Sequence, residues 1–176
     1  MKVTETFLKG CFIIEPKIFE DDRGYFYENF NKKNFFVKTG LDVNFIQNNE
    51  AKSNKGVLRG LHYQKGKFAQ AKLVRVVKGK VQDVVVDLRE NSETYGKHFS
   101  VILSEENKKQ LFVPKGFAHG YAVLEDNTIF SYKCDSYYSP ENESGIIYND
   151  VTLNINWKLK HNEIILSRKD KNLKFF

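Results

Sequence analysis

A chain of 176 residues is long enough for one domain with a substantial core and too short for two comfortable ones. Aromatics at 14%, with 15 Phe and 9 Tyr, favour strands over helices, and 3 Pro and 11 Gly are too few for a low-complexity chain. The 28 Lys and Arg against 22 Asp and Glu leave a net charge of +6, dispersed rather than massed in one run, which fits a Lys-rich soluble surface or an anionic small ligand and argues against nucleic acid.

In chain order, residues 11–15 form a short apolar run ended by Pro16, a first strand. Asp21-Asp22-Arg23-Gly24 reads as a turn, and residues 25–30 as an aromatic strand. Asn31 is placed to cap a helix through Lys38, with Phe35 and Phe36 as its apolar stripe and Gly40 as its stop. A strand is expected over 43–50, a loop over 51–56 and a strand over 56–64. Residues 73–77 and 81–88 flank Lys78-Gly79-Lys80 and predict a hairpin. Further strands are expected at 98–103, 110–113, 119–124 and 128–134, and the pattern weakens after Pro140, with a short helix or tail over 161–176. Short strands with turns at this spacing indicate an all-β sandwich, jelly roll or barrel. No repeat or linker divides residues 1–176, so one domain is the economical reading. Cys11 and Cys134 make neither a disulfide framework nor a zinc spacing and suit a reducing cytoplasm. The N-terminus lacks the apolar run of a signal peptide, and no segment approaches the roughly 18 apolar residues of a membrane span.

The stretch Gly56-Val57-Leu58-Arg59-Gly60-Leu61-His62-Tyr63-Gln64 concentrates the chemistry. Arg59 offers a planar cationic fork for phosphate or carboxylate, and His62 a proton that moves near neutral pH. The two have opposite parity along a strand. For both to serve one pocket, the strand must bulge at Gly60 or Arg59 must reach round the cavity edge. His119 closes Pro114-Lys115-Gly116-Phe117-Ala118-His119, which resembles the second signature of the cupin barrels. The first cupin signature would supply a second His and a Glu, and His62-Tyr63-Gln64 supplies one His and no carboxylate. Two His make a poor Zn²⁺ or Fe²⁺ site, so no metal is expected. His98 and His161 read as ordinary residues. Proton transfer is then the natural task of His62. It needs an orienting carboxylate, for which Asp83, Asp87 and Asp170 qualify, and an opposing acid, for which Tyr132 and Tyr138 qualify. Spacing alone does not choose among them. No Gly-x-Ser-x-Gly, Walker A or Gly-x-Gly-x-x-Gly motif occurs.

Six segments carry a resemblance in order along the chain. They are Phe19 to Glu28, Gly56 to Gln64, Ala69 to Arg75, Phe117 to Gly120 with Tyr132-Lys133, and Leu166 to Asp170. Together they resemble the dTDP-4-dehydrorhamnose 3,5-epimerases, cupin-like enzymes of dTDP-rhamnose biosynthesis. The resemblance implies a jelly roll with a few short peripheral helices, a homodimer, and catalysis without cofactor or metal. It implies epimerisation at C3 and C5 of dTDP-4-dehydro-6-deoxy-D-glucose. His62 is then the base, Asp170 its partner, Lys72 the cation beside the sugar carbonyl and Tyr132 the acid. Arg23, Phe26, Glu28, Gln47, Asn49, Arg59, His119, Glu143 and Lys169 fall on substrate-binding positions, with the Arg23–Glu28 segment reaching the partner's site. Arg168 and the proline-free loop 65–68 depart from the family pattern and touch substrate detail more than reaction type. A single-centre epimerase acting on another 4-keto sugar nucleotide, or a non-catalytic nucleotide-sugar-binding barrel, are the alternatives.

Overall fold

The computed structural model describes all of residues 1–176. The first half runs β1 (Lys2–Glu5), β2 (Phe12–Glu15), β3 (Ile18–Asp21), β4 (Gly24–Tyr27), α1 (Lys32–Thr39), β5 (Gln47–Ser53) and β6 (Leu58–Gln64). The second runs β7 (Lys72–Lys78), β8 (Lys80–Asp87), β9 (His98–Ser104), β10 (Gln110–Val113), β11 (Phe117–Val123), β12 (Thr128–Cys134) and β13 (Glu143–Gly145). All pairings between these strands are antiparallel. Two sheets result, of order β1-β2-β10-β7-β12-β5 and β13-β6-β11-β8-β9, with β3-β4 as a separate hairpin. This is the all-β jelly-roll sandwich expected from the spacing of the turns.

Alternation along the strands decides what lies between the sheets. Val74 and Val76 of β7, Val81 and Val85 of β8, Tyr121 and Val123 of β11 and Phe130 of β12 form the inner core. The outer faces are covered separately. Phe35 of α1 packs on Phe12, Ile14, Leu73 and Phe112 of the six-stranded sheet. Ile146, Tyr148, Leu153 and Leu159 of the C-terminal segment cover Leu58, Leu61, Val84, Val86 and Ala122 of the other. The middle strands of both sheets are therefore buried on two faces, and in β8 every residue from Val81 to Asp87 is buried, the polar Gln82, Asp83 and Asp87 included.

Asn31 caps α1 by accepting from the Asn34 N–H at 3.0 Å, and Gly40 ends it at φ 74° with its N–H on Phe36 O. Of the expected apolar stripe only Phe35 is buried; Phe36 is 50% exposed. The hairpin expected at Lys78-Gly79-Lys80 is not one. β7 lies between β10 and β12, β8 lies between β11 and β9, and the turn carries the chain from one sheet to the other. A Cβ at Gly79 would meet Thr128 Oγ1 at 2.3 Å, so this corner is packed tightly against β12. The strand expected over 43–50 runs instead over Gln47–Ser53, because its inward file of Gln47, Asn49, Ala51 and Ser53 is mostly polar and hides the usual strand signal. β1 and β3, short and mostly exposed, have no expectation to match. Residues 161–176 form two 3₁₀ turns, at His161–Glu163 and Asp170–Asn172, and two isolated parallel bridges.

Candidate active site

β6 is irregular where its chemistry sits. Its pairing with β11 sets His62 opposite His119 and Arg59 opposite Tyr121, so three steps on β6 match two on β11. The extra residue is a bulge, one of the two solutions that opposite parity left open, and it lies at Gly60, whose φ is 116° and whose peptide to Leu61 is cis. A Cβ at Gly60 would fall 2.6 Å from the Cα of Gly120, so the two strands touch backbone to backbone there. The bulge lets Arg59 and His62 line one cavity, of about 340 Å³, that opens between the sheets.

The cavity continues into a second lobe of about 340 Å³, and His62, Lys72 and Tyr132 form the wall common to both. His62 comes from the five-stranded sheet, and Lys72 and Tyr132 from the six-stranded one. His62 Nε2 lies 2.5 Å from Asp170 Oδ1. Asp170 Oδ2 accepts from Ser167 Oγ at 2.7 Å. Burial pushes the Asp170 carboxyl up, but hydrogen bonds from His62 and Ser167, the imidazole charge and the Gly60 N–H outweigh it and hold it below the ordinary carboxylate value. An ionised Asp170 only accepts, so Nε2 carries a proton toward it, and in the neutral form of the ring Nδ1 is the nitrogen with the lone pair. Burial pushes the Lys72 ammonium down, against the opposing pull of Cys134, Asp83 and Glu143. Burial raises the Tyr132 phenol, keeping it protonated, with Cys134 and Glu143 adding to the effect and Arg59 opposing it.

A second histidine pair stands beside the first. His119 Nε2 lies 3.0 and 2.9 Å from the two oxygens of Asp83, on the adjacent strand β8. Burial drives Asp83 up, more than the His119 and Lys72 charges hold it down. Of the three carboxylates open to His62 by sequence, Asp170 is therefore the partner. Asp83 belongs to His119, and Asp87 is bound by Arg89, Ser92 and Thr94.

The other expected residues divide in two. Arg59 is exposed at the cavity mouth, its guanidinium donating to Ser53 Oγ at 3.3 and 3.2 Å. Lys169 lines the first lobe and pairs with Glu143 of the second. Burial raises Glu143, but hydrogen bonds from Lys169 and Tyr138 outweigh it and leave it low. Gln47 donates to Asn49 at 3.0 Å on the second lobe's floor. Tyr138, the other candidate acid, donates to Glu143 at 2.7 Å there. Arg23, Phe26 and Glu28 are not brought to this cleft within the chain. Arg23 ion-pairs with Asp21 on the β3–β4 hairpin, Phe26 is 70% exposed, and Glu28 accepts from Asn31 and Asn34 at the start of α1. Among the lining residues that the sequence reading did not single out are Tyr121 and Ser167. Tyr121 stacks on Phe130 at 4.0 Å and shares the parity of His119, which was the signal available for it; Ser167 had only its place in the resembling segment 166–170.

Comparison with known proteins adds an independent line. The family model described as dTDP-4-dehydrorhamnose 3,5-epimerase matches residues 5–176. A protein of that name from Methanothermobacter thermautotrophicus is 50% identical over 171 residues, covering 97% of this chain and 91% of that one. The crystal structure of a dTDP-4-dehydrorhamnose 3,5-epimerase from Elizabethkingia anophelis superposes with a TM-score of 0.97 at 56% identity, covering 100% of this chain and 96% of that one. A Legionella pneumophila 3,5-epimerase in complex with dTDP-4-keto-L-rhamnose gives 0.95 at 48% identity, covering 99% and 92%.

Proposed function

The chain belongs to the dTDP-4-dehydrorhamnose 3,5-epimerase family, and on that premise we propose that it epimerises dTDP-4-dehydro-6-deoxy-D-glucose at C3 and C5, giving dTDP-4-dehydro-L-rhamnose. The observation that carries the reading is the common wall of the cleft: a carboxylate-backed imidazole on one sheet, a protonated phenol on the other, and an ammonium beside the phenol. The C4 ketone acidifies the hydrogens on both neighbouring carbons. His62 Nδ1 takes one of them, and Asp170 stabilises the imidazolium without itself taking the proton. The electron pair moves onto the C4 oxygen, where Lys72 meets the growing charge. Tyr132 then protonates the carbon from the opposite face. Exchange with water returns the proton to Tyr132 and removes one from His62, so no cofactor is consumed.

Arg59, His119, Lys169, Gln47, Asn49 and Glu143 are proposed to hold the nucleotide and sugar, with guanidinium–phosphate pairing at Arg59. Arg23, Phe26 and Glu28 would act across a homodimer, in the partner's cleft; all three are exposed and away from their own. We read residues 1–176 as one jelly-roll domain acting in the cytoplasm; no helix is long and apolar enough to cross a membrane. The test is incubation with the sugar nucleotide in heavy water. Deuterium at both C3 and C5 is expected. Label at one carbon alone would make this a single-centre epimerase, and dTDP binding with no label would make it a binding barrel.

A further inference from the structure

Asp170 reaches His62 from an unusual element. Within residues 161–176 it is the only buried residue, so the carboxylate is inserted into the cleft by a strap that is otherwise on the surface. The strap is pinned on both sides of it. Upstream, the Ile165 N–H donates to Gly56 O at 2.8 Å and Ile165 O accepts from the Leu58 N–H at 3.0 Å. Downstream, Lys174 O accepts from the Ile147 N–H at 2.8 Å, and the Phe176 N–H donates to Asp150 Oδ2 at 2.7 Å. The strap passes close over two glycines. A Cβ at Gly56 would meet Glu163 O at 2.4 Å, and one at Gly145 would meet the Leu173 methyls at 2.8 and 2.9 Å. Asp150 is itself 3% exposed, and its Oδ1 is held by the N–H groups of Thr152 and Leu153, both at 2.9 Å. It is thus a rigid post, fixed by its own turn, that ties down the last residue of the strap.

We infer that Asp150 is a positioning residue of the reaction: by anchoring the strap at Phe176 it sets the distance and angle of the Asp170–His62 pair. This rests on the reading given under Proposed function, and it adds a residue that touches neither substrate nor reacting atoms. Asp150→Asn replaces one carboxylate oxygen by an N–H donor. Either the Phe176 N–H or the Thr152–Leu153 turn then loses its acceptor. Release of the strap loosens Asp170, and small misplacements of catalytic groups cost about 10- to 100-fold in rate.

The experiment follows kcat, KM and the imidazole N–H proton of His62 by NMR, because a short charge-assisted hydrogen bond deshields its proton strongly. His62→Asn identifies the resonance. Asp150→Asn is expected to lower kcat about tenfold or more, with KM within about twofold, and to move the resonance upfield or broaden it away. Phe176→Ala, which loses the ring against Tyr95 and keeps the N–H, is expected to change neither kcat nor the resonance, whereas a second variant, Phe176→Pro, has no N–H, leaves the Asp150 turn whole, and is expected to show the same two changes. If Asp150→Asn fails to fold, this variant decides alone. Unchanged kcat in Asp150→Asn or Phe176→Pro, or a fall in kcat with the resonance in place, overturns the inference. Failure of the functional reading is distinguishable: wild type would then show no proton exchange, while the resonance would still report whether Asp150 holds the pair.

Discussion

His62–Asp170 and His119–Asp83 place the same two side-chain types in one cleft, yet their surroundings push them apart. The His62 side chain is 26% exposed and that of His119 6%. Burial raises both carboxylates. Asp170 then gains donors from Ser167 and Gly60 besides His62 and ends low, whereas Asp83 has His119 alone on both oxygens and ends high. Origin differs as well. His119 and Asp83 sit on neighbouring strands of one sheet, and His62 and Asp170 are joined across 108 residues by the C-terminal strap. Asp83 is the more deeply buried carboxylate and has the fewer donors, and the two differences together separate a pair suited to moving protons from one suited to holding a wall in place.

The largest expected effect breaks or keeps this contrast directly. His62→Ala should lower deuterium incorporation at both carbons about 10³-fold, while His119→Asn should stay within about tenfold of wild type and act mainly on KM. Equal losses from the two would make the pairs equivalent. Lys72 comes next, since it lies on the common wall and its charge also opposes the upward push on Asp83. Lys72→Met should cost about 10²-fold in kcat, measured by single turnover, with dTDP affinity nearly unchanged.

How much of this was legible beforehand depended on the range of the signal. Parity left two ways for Arg59 and His62 to share a pocket, a bulge at Gly60 or a reach of Arg59 round the cavity edge, and the register shows the bulge. The capping of α1 by Asn31 and Gly40 was equally local. The β7–β8 turn failed for the complementary reason: two apolar runs around Lys-Gly-Lys look the same whether they pair with each other or with strands far along the chain. The polar inward file of β5 concealed a strand because it lines a cleft instead of a core. Asp170 could not be chosen over Asp83 and Asp87 by spacing. Resemblance singled it out, and the hydrogen bonds then assigned each carboxylate its own partner.

The smallest expected effect concerns stability against pH. Asp170 is held below 3.8, so its contribution is complete above that pH and is lost as pH falls through the lowered value. Asp170→Asn should therefore flatten the acid limb of the stability curve. Asp83 is raised above 3.8, so its contribution is complete below that pH and is lost as pH rises through the raised value. Asp83→Asn should remove that decline. Urea unfolding across the acid range reads both, and curves bending the same way would remove the electrostatic half of the contrast.

The bulge in β6 has a consequence for how such a cleft can be altered. A strand is a two-phase lattice, and Gly60 is the single unit that shifts the phase between Arg59 and His62. A substitution elsewhere in the cleft exchanges one side chain. Straightening the strand there, with no residue lost, would turn the anion fork and the base toward opposite faces of the sheet while leaving every catalytic residue type present. The chemistry of this barrel is encoded in one backbone irregularity as well as in residue kinds, and a variant can hold the whole inventory and still have no active site.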